Sequence, residues 1–317
     1  MKKINILLLL LLALAGCDQG REQADSTPPA SPAQPVVALV MKSLANEFFS
    51  TMAEGAKQHH AAQRVPYKLI VNGIKNESDL AQQVALIDQM VAAGAGAIVI
   101  APADSKALIP ALARAHQAGA IIVNIDNKLD AGVLAQYGLK VPFVGPDNRA
   151  GARLVGNYLA GHLAQNDQVA ILEGVPTAYN SQQRRAGFED AANANGLDIV
   201  TVQSAFWEQT RAAEVTAGIL VRFPQLKAIL CANDSMALGA VSALRQVGRE
   251  NDVQVVGFDN ISAAQALIRT GAVLATADQH ADQLAVYGIE YALDMLAQGG
   301  EPEDLTTSVD LVTMASL

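Results

Sequence analysis

The sequence predicts an α/β protein of two doubly wound domains, each built on a parallel sheet. Three observations predict it. The short apolar runs are solid rather than alternating, as in strands buried on both faces. Helix-period segments separate these runs almost to the end of the chain. The resulting strand–helix series is long enough for two Rossmann-like sheets of four or five strands, not one overgrown sheet.

The first series opens with VVALVM at 36–41 and continues through YKLIV at 67–71, AIVIA at 97–101 and AIIVNI at 120–125. Helices are expected between them at about 46–63, 77–93 and 105–118. Gly94 and Gly119 stand just past two of these helices, where a left-handed residue ends a helix most easily. After VPFVG at 141–145 the second series runs through QVAIL at 168–172, IVTVQS at 199–204, KAILC at 227–231, VQVVGF at 253–258 and AVLATA at 272–277. Its helices are expected at about 148–164, 181–194, 209–222, 235–247 and 262–270. A helix at 281–297 and a tail strand at 308–313 have no place in that series, so they are expected to cross between domains and make a multi-strand hinge. The expected lobes are 36–146 with 280–310, and 147–279 with 311–317.

The N-terminus stands apart from this fold. Lys2 and Lys3 precede an apolar run from Ile6 to Leu14 that is too short to remain as a membrane span, the pattern of an export signal over 1–16. Leu14-Ala15-Gly16-Cys17 resembles the lipobox of bacterial lipoproteins, which implies lipidation of Cys17 and firm anchoring by more than one acyl chain. The competing reading is an ordinary secretory peptide with a chance cysteine. Asp18 resembles the signal that retains lipoproteins at the inner membrane, on its periplasmic side. Residues 17–35 carry four prolines and no aliphatic side chain larger than alanine beyond Cys17, so they read as a disordered tether with a reach of roughly 20–25 Å.

Composition narrows the function. Without Lys2 and Lys3 the balance is 20 Lys and Arg against 31 Asp and Glu, which opposes nucleic-acid binding and attraction to an anionic membrane surface. With Cys17 lipidated, Cys231 has no second thiol, so neither a disulfide nor a cysteine metal site is available and Cys231 reads as core. No nucleophile elbow, phosphate loop or H-E-x-x-H motif is present. His59 and His60 fall on an expected exposed helix, and His280 is a further candidate for the cleft wall. No metal or cofactor is expected.

Ligands of open parallel sheets bind beyond the carboxyl ends of the strands. Those ends carry Lys42, Asn46, Phe48 and Phe49 after the first strand, Asp126 and Asn127 after the fourth, and Arg184, Trp207, Asn233, Asp234, Asp259 and Gln279 in the second series. Singly, each has a structural explanation as a cap, an ion pair or core. Together they describe a polar cleft with aromatic walls. Carboxylates and amides chelate neighbouring hydroxyls, a guanidinium offers a fixed fork of donors, and aromatic faces cover C–H surfaces, so the expected ligand is a carbohydrate. Asp126 and Asp259 balance Lys42 and Arg184, which favours a neutral one.

At these residues the chain from about Val36 onward resembles the periplasmic sugar-binding proteins of the ribose, allose and galactose type, which deliver sugars to ABC transporters. SLANEFF resembles the Asn-Pro-Phe-aromatic segment with Glu47 in the proline position, and NIDN the Asp-containing loop. RRAGF, AFWEQTRA, CANDSMALGA, VVGFDN and ATADQH match further motifs in order. The resemblance implies three interdomain crossings, hinge closure on the ligand, and a monomer whose closed face is read by an ABC permease. It implies ring stacking by Phe48, Phe49 and Trp207, hydroxyl contacts from Asp126, Arg184, Asn233, Asp259 and Gln279, and Asn46 and Lys42 at the rim or floor. Asn127 replaces the arginine usual in ribose-binding members, while Lys42 resembles a lysine of allose-type and sugar-alcohol-type members, so an allose-like hexose or a pentitol is favoured over ribose. A chemoreceptor or sensor kinase is an alternative client, and a carbohydrate-active enzyme an alternative use of the scaffold. The leader and tether stand where lac-repressor-type regulators carry a helix-turn-helix.

Overall fold

The computed structural model describes residues 34–63 and 66–317; the expected leader, Cys17 and the tether as far as Ala33 lie outside them. In chain order the first-series elements are β1 (Val36–Met41), α1 (Glu47–Ala62), β2 (Lys68–Gly73), α2 (Leu80–Ala92), β3 (Ala97–Ile100), α3 (Ile109–Gln117), β4 (Ile121–Ile125), α4 (Ala131–Gln136) and β5 (Phe143–Pro146). Then come α5 (Asn148–Ala160), β6 (Gln168–Glu173), α6 (Tyr179–Ala194), β7 (Asp198–Ser204), α7 (Gln209–Arg222), β8 (Leu226–Cys231), α8 (Asp234–Gln246), β9 (Gln254–Val256), α9 (Ser262–Arg269) and β10 (Ala275–Asp278). The chain ends with α10 (Ala281–Gln298), β11 (Leu305–Thr307), β12 (Asp310–Thr313) and a short 3-10 turn.

The strands form two six-stranded sheets, ordered β2-β1-β3-β4-β5-β11 and β7-β6-β8-β9-β10-β12. Every pair is parallel except β10–β12. The expected tail strand is in fact two: β11 joins the edge of the first sheet and β12 the edge of the second. The chain therefore passes between sheets after β5, after β10 and between β11 and β12. Helix α10 returns to pack on α1, β3 and β4.

The solid apolar runs have the cause expected of them. Along β1, Val37, Leu39 and Met41 enter a core with α1 and α10, while Ala38 and Val40 enter a second core with α2 and α3. Both faces are buried, so the period-2 alternation of a strand is filled with apolar residues on each side. The second sheet has its own core, around Phe188, Phe258 and the β6, β8 and β9 strands, with Cys231 buried inside it. Gly94 and Gly119 adopt φ of +77° and +98° after α2 and α3, as their positions required. Close approach fixes two others: a Cβ on Gly187 would overlap Arg149 of α5, and one on Gly239 would overlap Gln209 of α7. These contacts seat α6 and α8 against their neighbours.

Helix α2 starts at Leu80 because Asp79 is its N-cap, accepting from the Gln82 amide, so Glu77 lies in the preceding loop and not in the helix. Helix α6 begins two residues earlier than expected, which places Arg184 in its second turn instead of at its start. His59 and His60 are half-buried, with His60 Nε2 2.8 Å from the Tyr67 carbonyl oxygen. Among the described residues no helix is long and apolar enough to cross a membrane, and no cluster of three or more His, Cys, Asp or Glu could hold a metal.

Candidate functional site

The carboxyl ends of both sheets face one shared cavity. From the first sheet come Lys42, Asn46, Phe48, Phe49, Glu77 and Asp126. From the second come Asn180, Arg184, Trp207, Asn233 and Asp259. Lys42, Asp126, Arg184 and Asn233 are each only 2 % exposed.

Local structure explains how each side chain is aimed. Asn46 caps α1 by accepting from the Phe48 amide, and its Nδ2 donates to Glu77 Oε1 at 3.3 Å. Capping starts the helix at Glu47, so Phe48 and Phe49 fall in its first turn with rings edge to face at 5.0 Å. Asn233 does the same for α8, accepting from the Met236 amide while donating to the Trp207 carbonyl. Three wall residues hold left-handed or sparsely allowed backbone: Asp126 at φ +62°, Trp207 at +69° and Asp259 at +122°. Such conformations are costly for residues with a Cβ and concentrate at functional sites. Gly174 faces the indole of Trp207 so closely that a Cβ there would overlap the ring.

The charges are paired inside the wall. Lys42 Nζ lies 2.9 Å from Asp126 Oδ2, an ion pair without a well-directed hydrogen bond. Arg184 donates from Nε to Asn148 at 2.7 Å and from Nη1 to the Ala232 carbonyl at 2.9 Å, with Asp259 Oδ1 at 3.4 Å. Its Cζ lies 3.8 Å from the Phe258 ring centroid. Burial pushes the Asp259 carboxyl well above the usual carboxylate range, against the pull of Arg184. Burial likewise lowers the guanidinium, against the pull of Asp259, so the attraction within the pair is what holds two desolvated charges in place. Glu77 is pushed up to about 7, chiefly by burial and against the pull of Lys42 and the Asn46 hydrogen bond.

Several polar atoms here are buried without a protein partner: Arg184 Nη2 and Trp207 Nε1 as donors and Asn180 Oδ1 as an acceptor. Unsatisfied buried groups of this kind are expensive, about 1–3 kcal/mol each. A ligand that both donates and accepts, as each hydroxyl does, satisfies them.

Of the residues expected from sequence, Lys42, Asn46, Phe48, Phe49, Asp126, Arg184, Trp207, Asn233 and Asp259 meet in this cavity. Gln279 stands behind it, donating to Asp259 Oδ1 at 2.7 Å. Asn127 does not line it. The left-handed turn at Asp126 sends the next side chain the other way, where Nδ2 donates to the Pro102 carbonyl and Oδ1 accepts from the Ser105 hydroxyl and the Asn180 amide. His280 is also outside, its ring beside Asp310 and Asp278. Asp234 is buried beneath the wall, accepting from Thr276 and the Ile261 amide. Glu77 and Asn180 line the cavity as well: Glu77 falls inside the expected helix 77–93, which in fact starts at Leu80, and Asn180 just before the expected helix 181–194, which in fact starts at Tyr179.

A family model described as a periplasmic binding protein domain matches residues 37–301. The chain belongs to the periplasmic binding protein family. This periplasmic binding protein is 52% identical over 288 residues to a D-ribose/D-allose-binding protein of Pseudomonas aeruginosa, across 89% of this chain and 90% of that one. Among solved structures, an ABC transporter solute-binding protein from Burkholderia multivorans superposes with a TM-score of 0.87 at 52% identity, over 89% of this chain and 100% of that one. Another, from Actinobacillus succinogenes with bound D-allose, superposes with a TM-score of 0.84 at 36% identity, over 89% of this chain and 99% of that one.

Proposed function

We propose that the chain is the extracytoplasmic solute-binding protein of an ABC transporter and that its cavity takes one neutral monosaccharide, D-allose before D-ribose. The observation that carries this reading is the set of buried, partnerless donors and acceptors on the cavity residues Arg184, Trp207 and Asn180, framed by internally paired charges. That arrangement suits an uncharged polyhydroxylated ligand and penalises an ionic one. The relatives named for ribose and allose, and the allose-bound neighbour, support the same ligand class. Glu77 adds an acceptor beside Lys42 and Asn46, a reason to favour a hexose with one more hydroxyl to hold.

In this reading Lys42, Asp126, Asn233 and Asp259 hold hydroxyls and the three aromatic rings cover the sugar faces. The protein binds and releases its ligand without converting it. The lobes, 36–146 with 280–310 and 147–279 with 311–317, move as bodies about the three crossings and deliver the sugar to the permease. The body works as a monomer, held to the periplasmic face of the inner membrane through lipid on Cys17. The test is a thermal-shift screen of the purified protein against D-allose, D-ribose and xylitol, with adenosine and glutamate as controls. D-allose should raise the melting temperature most, because a ligand of the native state stabilises it. A shift with the controls alone would overturn the reading.

A further inference from the structure

Three helices of the second lobe, α6, α7 and α9, lack a side-chain cap, and in two of them the cap residue has no acceptor to offer. The N-cap of α6 is Ala178 and that of α9 is Ile261, and neither side chain can accept a hydrogen bond from the helix that follows. Each first turn presents orphan N–H groups that need acceptors. The first lobe supplies them. Ser105 Oγ accepts from the Tyr179 amide at 2.8 Å and Asn127 Oδ1 from the Asn180 amide at 3.1 Å, at the start of α6. Glu47 Oε1 accepts from the Ser262 amide at 2.7 Å, at the start of α9. Beside this second contact, Ile261 and Ala264 are packed into the first lobe's core cluster with Phe48, Phe49 and Met52.

We propose that Glu47, Ser105 and Asn127 are a closure latch: they cap α6 and α9 across the interlobe gap only when the lobes are shut, and so set the open–closed balance and the affinity for sugar. The proposal rests on the reading above that the lobes close on a sugar. None of the three lines the cavity, so their effect on binding passes through the conformational equilibrium. Opening strips the amides of Tyr179, Asn180 and Ser262 of their acceptors and exposes Ile261. Because α6 also carries Asn180 and Arg184, capping its first turn fixes two wall residues at the moment the site is complete. The carboxylate of Glu47 also meets the positive end of the α9 dipole, the favourable sign.

The test compares Glu47→Ala and Ser105→Ala with wild type, by calorimetry with D-allose and D-ribose and by amide hydrogen exchange. Loss of a cap should weaken sugar affinity by about three- to tenfold, since apparent affinity scales with the closed fraction. Glu47→Gln keeps an acceptor and should stay within about twofold of wild type. Adding sugar to wild type should slow exchange at 179–180 and at 262; Glu47→Ala should lose only the second effect and Ser105→Ala the first. Unchanged affinity in both alanine variants, or exchange at these amides indifferent to sugar that wild type demonstrably binds, overturns the latch. If neither sugar binds wild type, the reading of the ligand fails separately. The latch is then judged in protein held shut by a disulfide engineered across the lobe gap: faster exchange at Ser262 in Glu47→Ala supports it, and equal rates overturn it.

Discussion

At the scale of single residues, the site is defined by groups whose ordinary chemistry burial has altered. Glu77 is the clearest, because its carboxyl is pushed up from 4.5 to about 7. A raised folded-state pKa means that the native protein binds the proton more tightly than the unfolded chain. The resulting stabilisation is fully present below the unfolded value near 4.5 and disappears as pH rises through 7, a swing of about 3 kcal/mol. Asp234, pushed up to about 6 by burial, acts in the same direction over a lower window. Urea unfolding at pH 5 and pH 8 should therefore show wild type losing stability with rising pH and Glu77→Gln losing distinctly less. Identical pH dependence in the two proteins would contradict the assignment. The identities of most wall residues were legible in the sequence because the ends of parallel strands are a known place to look. Asn127 was misplaced because the left-handed backbone of Asp126, which reverses the direction of its neighbour, leaves no mark in residue type. Glu77 sits on a loop and Asn180 in the first turn of α6, and where those helices begin depends on which residue takes the N-cap, which residue type alone does not fix.

At the scale of elements, packing decides which faces converge. The cores on the two sides of the first sheet, and the glycine contacts that seat α6 and α8, place helix starts at one end of both sheets. Gly174 belongs to the same logic, since the end of β6 must pass against the Trp207 indole with no room for a Cβ. Gly174→Ala should push the ring from its place, weaken sugar binding by about tenfold or more, and shift the emission of the chain's single tryptophan. Wild-type affinity and emission in this variant would show that the ring is not held as described. The order of strands and helices was readable from solid apolar runs and helical period. The tail was not: β11 and β12 are three and four residues long, and their assignment to different sheets depends on long-range pairing with β5 and β10. Helix α4, six residues after β4, was equally short of periodic signal.

At the scale of the whole molecule, two sheets joined by three crossings bring residues as distant as Lys42 and Asp259 to one cavity. The proposed anchor on Cys17 would place this body at a membrane without involving the fold. Cys17→Ser should release the protein from the membrane fraction of cells expressing the full chain, and continued pelleting with membranes would contradict lipidation. The central claim is that the enclosed cluster of paired charges, partnerless hydrogen-bonding atoms and aromatic rings exists to hold an uncharged sugar. Asp259 tests it most directly, because it touches Arg184 and Gln279 and lines the cavity. Calorimetry of D-allose and D-ribose should show saturable one-to-one binding to wild type. In Asp259→Asn that binding should be weakened by about 2–5 kcal/mol, a factor of about thirty or more, because Arg184 is left buried without its counter-charge. Unchanged affinity in Asp259→Asn, or no saturable heat from wild type with either sugar, would contradict the account.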